Sequence, residues 1–180
     1  MIEMAGMLRI PRTRTALTAG VLLILLGALG GLVPFVGPYF HYAYTPDAAW
    51  SYTSGRLWLS IVPALGVLAG GFTLLISAFR PLALLGAFLA GISGAWFAVG
   101  GVVGPAWAGT AVSAGAPVGG SVTRAVEQIG FFTGLGVAIV CVAMLALGRF
   151  SVTGAWGMKA PAEPATDTAE ESVGSGAAGT

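Results

Sequence analysis

Residues 57–103 read LWLSIVPALGVLAGGFTLLISAFRPLALLGAFLAGISGAWFAVGGVV, and the single charged side chain among them is Arg80, followed at once by Pro81. At about 1.5 Å per residue, one helix of this length would far exceed the roughly 30 Å hydrocarbon core of a bilayer. The stretch must therefore fold back on itself, and Arg80-Pro81 marks the place. Proline cannot continue a helix interior and disfavours helical geometry in the residue before it, while arginine is costly to bury in lipid. The expectation is a transmembrane helical hairpin with a tight turn, its spans at about 57–79 and 81–103.

Composition extends this reading to the whole chain. Of 180 residues, 56% are hydrophobic and 8% charged, about a third of the charge usual in a soluble domain. The 29 glycines suit membrane helices, in which small residues let backbones approach closely. A net charge of +1 gives no footprint for nucleic acid. The one cysteine, Cys141, excludes an intrachain disulfide and a multi-cysteine metal or redox site, and reads as an inert packing thiol within a span.

Outward from the hairpin, Arg9, Arg12 and Arg14 precede an apolar run at 16–36 that is long enough for a full span and ends without an Ala-x-Ala cleavage site. It is read as a retained first span behind a basic cytoplasmic segment, 1–15. A fourth span is expected at about 128–147, stopped by Arg149. The four-span domain then covers 16–148, and 149–180, poor in apolar side chains and carrying Glu163, Asp167, Glu170 and Glu171, is expected to be a disordered cytoplasmic tail. The fold class is all-α, an integral membrane four-helix bundle.

Arg9, Arg12, Arg14, Arg80, Arg149 and Lys159 lie on the side of the termini, against Arg56 and Arg124 on the other. The positive-inside rule then places both termini in the cytoplasm of a multi-pass plasma-membrane protein.

Two kinds of contact residue stand out. Small residues at helical spacing mark close packing: Gly66 and Gly70 in the second span, Gly86, Ala90 and Gly94 (with Ala98) in the third, and Gly130 and Gly134 in the fourth. Such faces can pack within the chain, against a second copy, or against another membrane protein. The first outer loop holds all four tyrosines, and its contact candidates are Tyr39, His41, Tyr42, Tyr44, Trp50, Tyr52 and Trp58. These rings read either as an interfacial belt at lipid headgroup level or as a recognition surface. Thr45-Pro46-Asp47 reads as the start of a short helix over about 46–53, with a two-stranded turn as the alternative. Pro63 should disturb the second span by depriving the carbonyl of Leu59 of its helical partner. Arg124 and Glu127 can pair on the first turn of the fourth helix.

The halves echo each other near a spacing of 70 residues: Gly30-Gly31-Leu32-Val33 with Gly100-Gly101-Val102-Val103, and Leu65-Gly66-Val67 with Leu135-Gly136-Val137. Within the four spans drawn above there is no Asp, Glu, Lys, Arg or His, which argues against a proton-coupled carrier. Neither a nucleophile with its base nor a metal cluster is apparent, and His41 with Asp47 is too little for either. No enzyme activity and no cofactor are expected.

Trp50 followed by Gly55-Arg56-Leu57-Trp58 is loosely similar to the claudin-like tetraspan signature, but Arg56 interrupts its tripeptide and both of its cysteines are missing, so no function is carried across. In composition and layout the chain resembles the small uncharacterised four-helix membrane proteins of actinobacteria. The function expected is that of a noncatalytic accessory or scaffold subunit in a plasma-membrane or envelope complex. The alternative is a passive or partner-coupled transport component for an apolar or lipid-like substrate.

Overall fold

The computed structural model describes residues 14–40, 42, 48–108 and 119–155. They form four helices, each long and apolar enough to cross a membrane. Helix α1 is Arg14–Val36, continued by a 3-10 turn at Gly37–Phe40. Helix α2 is Ser54–Ile76, with a π segment at Leu57–Ile61. Helix α3 is Arg80–Ala108. Helix α4 covers 121–155 and is π-helical at Gln128–Gly134. Around the bundle α1 packs on α2, α2 on α3, α3 on α4, and α4 more loosely on α1.

The tight turn lies a few residues before the place the sequence suggested. Helix α2 ends at Ile76, Ser77 is extended, and Arg80-Pro81 opens α3 instead of interrupting a helix. A proline in the first turn loses nothing, because its missing N–H would have had no helical acceptor there. Ser77 shapes the turn: its Oγ accepts from the Phe79 amide at 3.2 Å and donates to the Phe79 carbonyl at 3.0 Å. Arg80 then reaches α4, donating to the carbonyls of Phe150 and Ser151 at 3.0 and 3.1 Å. A cation among the closing carbonyls of a helix also meets the negative end of its dipole.

Other boundaries move as well. Helix α3 continues past residue 103 to Ala108, and α4 starts at Ser121 and passes Arg149 to end at Ala155. Its N-cap is Gly120. The short helix expected at 46–53 is not present over its described part: 48–53 is a turn followed by extended chain, and α2 is capped by Thr53, whose Oγ1 accepts from the Arg56 amide at 3.2 Å. Asp47, Thr45, His41, Tyr44, the second loop at 109–118, most of the N-terminal segment and the tail from 156 lie outside the described residues.

The π segment in α2 explains what Pro63 does. In the i to i+5 register, shown by the Val62 amide bonding the Leu57 carbonyl, the carbonyl facing residue 63 is that of Trp58, not Leu59. Proline has no N–H to offer it, and the indole of Trp96 on α3 donates to it instead, at 3.0 Å.

Glycines close three of the four seams. A Cβ on Gly71 would stand 3.0 Å from the Gly20 carbonyl oxygen in the α1–α2 seam, and one on Gly70 would collide with the Gly86 carbonyl in the α2–α3 seam. In the α3–α4 seam a Cβ on Gly136 would lie 2.6 Å from the Gly94 carbonyl. Backbones this close gain dispersion contacts that larger residues would prevent, the main source of association when lipid is as apolar as the side chains. The Gly86, Ala90 and Gly94 ridge is thus spent inside one chain and offers no surface to a partner. Gly66 also faces inward, toward Ser93. Gly130 and Gly134 do not pack within the chain: both are exposed, a Cβ on Gly130 meets nothing within 4 Å, and Gly136 does the packing on α4. Cys141 is likewise exposed on the flank of α4, not packed.

Candidate functional site

The end of the bundle opposite the tight turn carries the chemistry. Arg56 closes the first turn of α2, and its side chain is 1% exposed. Its Nη1 donates to the carbonyl and the Oγ of Ser51, at 2.9 and 2.6 Å. Glu127 ends the seven-residue α-helical start of α4 and is 5% exposed. Its carbonyl accepts from the Tyr42 hydroxyl at 3.3 Å. Each of these two residues stands immediately before a π segment, 71 positions apart, close to the spacing of the sequence echo. The wide π turn lets consecutive residues face inward: Leu59 with Ser60, and Phe131 with Phe132. The Phe131 ring meets Phe132 edge-on at 4.9 Å and Tyr42 at 6.2 Å.

Sequence reading drew the spans too short to include Arg56 and Glu127, and so missed two ionisable groups buried within helices. Their signal was position: each opens an even-numbered span at nearly the repeat spacing. Arg124, by contrast, is exposed, so it and the buried Glu127 do not make the surface pair expected of the first turn.

Of the aromatic candidates, Tyr39, Phe40, Trp50, Tyr52 and Trp58 are all more than half exposed, and Tyr42 is half-buried. Trp50 adopts φ 58°, the left-handed region that bulky residues avoid. Two contacts hold it there, a 3.4 Å hydrogen bond from its amide to the Phe35 carbonyl and a tilted ring contact with Phe35 at 6.0 Å. Its ring nevertheless remains 64% exposed.

The fourth seam, between α4 and α1, has no glycine set against a facing backbone. Its Gly30 meets the side chains of Phe97 and Leu135 instead. Below the π segment of α4 the two helices part around a groove of about 570 Å³, lined by residues such as Leu29, Val33 and Val36 of α1 and Gly130, Leu135 and Ala138 of α4. Phe40 and Tyr42 close its upper end. A second groove of about 460 Å³ lies under Trp50 between α1 and α2. Pro63 lines neither groove and is buried.

No group of three or more His, Cys, Asp or Glu able to hold a metal occurs among the described residues. No family model, curated protein or solved structure matches the chain.

Proposed function

We propose that this is a noncatalytic accessory or scaffold subunit of a plasma-membrane or envelope complex, with four spans and both termini in the cytoplasm. The orientation rests on the six-to-two division of Lys and Arg between the two ends of the bundle. The observation that carries the role is the ring of exposed Tyr39, Phe40, Trp50, Tyr52 and Trp58 around one end. With the glycine ridges turned inward, this rim is the surface left for a protein partner, and Tyr and Trp supply large contact area with few rotamers to freeze. Purification of the tagged protein from its native membrane in mild detergent, with bound proteins identified by mass spectrometry, tests the role. A stoichiometric membrane-protein partner that is lost in the Trp50→Ala/Tyr52→Ala variant supports it. Recovery of the same partners with that variant, or of no protein but the chain itself, overturns it.

The lateral α1–α4 groove favours a second reading, a passive or partner-coupled transport component for an apolar or lipid-like substrate. Such a substrate requires no intramembrane charge along its path.

A further inference from the structure

We infer that the α1–α4 groove is a binding site for a single hydrocarbon chain of a membrane lipid. The site rests on the helices spanning a bilayer, but not on transport, since a resident lipid need not move between leaflets or membranes.

Three observations choose this occupant. The lining carries one polar side-chain group, the Tyr42 hydroxyl, and that hydroxyl is engaged with the Glu127 carbonyl. Nothing remains to hold water or a polar ligand, and a buried water needs two to four polar partners. The groove opens sideways between two helices, so hydrocarbon is the medium at its mouth. Its dimensions then exclude a helix. From Leu26 to Phe40 it runs roughly 20 Å, at about 1.5 Å per residue with a somewhat longer rise in the final 3-10 turn. All the space between the walls, about 1070 Å³, divided by that length gives a mean section of roughly 54 Å², still below the roughly 80 Å² of a helix about 10 Å across. A helix cannot sink between the walls, whereas a lone alkyl chain can. An unfilled gap would forfeit dispersion contacts along both walls.

The two π and 3-10 irregularities shape the site. The π segment swings Phe131 and Phe132 into the bundle and leaves Gly130 on the groove wall, with open space where a side chain would stand. The 3-10 turn after α1 brings Phe40 over the upper end.

The test uses the full chain in phospholipid nanodiscs containing a phosphatidylcholine with a diazirine on its acyl chain, with photo-cross-links mapped by mass spectrometry. Labelling of Leu29, Leu135 and Ala138 is expected to exceed that of Phe72 and Leu85, which are exposed on other helices, by about threefold or more, because a chain held along both walls exchanges more slowly than bulk lipid. Gly130→Trp should bring groove labelling down to that of the other faces. Gly148→Trp, on the same helix with equally open space and outside the groove, should leave it unchanged. Uniform labelling of all faces in the unmodified protein overturns the proposal whether or not either variant folds. So does protection of the groove residues accompanied by cross-linked dimers. A labelled groove with no lipid transfer between vesicles keeps the site and removes the transport reading.

Discussion

Gly136→Ala adds one carbon to the most closely approached backbone in the α3–α4 seam. That Cβ would stand 2.5 Å from the Ala98 amide nitrogen, 2.6 Å from the Gly94 carbonyl oxygen and 2.9 Å from the Ala98 Cα. All three are backbone atoms of α3, so no side chain can rotate away and the helices must part. Restoring ordinary contact takes about 1 Å, and a gap of that size forfeits a quarter to a half of each atom pair's ~0.1–0.2 kcal/mol. Over roughly thirty pairs along the seam the loss is about 2 kcal/mol, inside the usual ~1–3 kcal/mol range for overpacking. Gly130→Ala is the matched control, since its Cβ meets nothing and alanine favours the helix by up to about 1 kcal/mol. Reversible unfolding in mixed micelles, followed by helical circular dichroism, should therefore separate the two variants by about 2–3 kcal/mol. Equal destabilisation by both would refute the assignment of α4's packing face to Gly136.

At the other end, Ser51→Ala removes the Oγ that accepts from Arg56 Nη1 and should cost about 1–2 kcal/mol, with Arg56→Met costing more and the double variant less than their sum; thermal melts in detergent decide this. Trp96→Phe leaves the Trp58 carbonyl without its indole donor and should cost about 1 kcal/mol by the same measurement; an unchanged melt would refute the i to i+5 register there. Arg80→Gln should loosen the end of α4, read as faster proteolysis after residue 150 with little change in global unfolding. Cys141, exposed on a helix flank, should resist a charged maleimide in sealed vesicles, because hydrocarbon excludes both the reagent and the reactive thiolate, and should react once the protein is denatured in detergent. Reaction with the charged reagent before denaturation would contradict a position within the bilayer.

The four helices were legible because apolar runs of span length have few alternatives, and Arg80-Pro81 located the turn to within a few residues. The helix ends were less legible. A helix can continue past a residue that reads as its end, as α3 does through Gly104-Pro105 to Ala108 and α4 past Arg149. The small-residue spacing in α2 and α3 named true packing positions, yet the same spacing at Gly130 and Gly134 did not. There the π segment adds residues to the turn and rotates the following face, so that Gly136 comes to the seam instead. Four-residue spacing indicates contact only where the helix keeps its regular pitch. Burial of Arg56 and Glu127 was beyond reach for a related reason, since it depends on how loop residues such as Ser51 and Tyr42 fold over the helix ends.

The same π segments bear on why one seam stays open. Two hairpins in parallel orientation around a common axis would make the α2–α3 and α4–α1 seams counterparts. In both even helices a buried ionisable residue, Arg56 or Glu127, is followed directly by a π segment, so their starts agree in this feature. Their partners do not. In the α2–α3 seam Gly70 faces Gly86 and Ala90, whereas in the α4–α1 seam Gly30 faces the bulk of Phe97 and Leu135. Phe97, fully buried, projects from α3 across the centre of the bundle to α1 and holds α1 away from a backbone approach to α4. A smaller residue at 97 would remove that spacer and let the fourth seam close as the second does. The groove is thus a consequence of where one large side chain, Phe97, crosses the centre of the bundle, and the lipid-chain site proposed for it requires that side chain as much as the residues that line it.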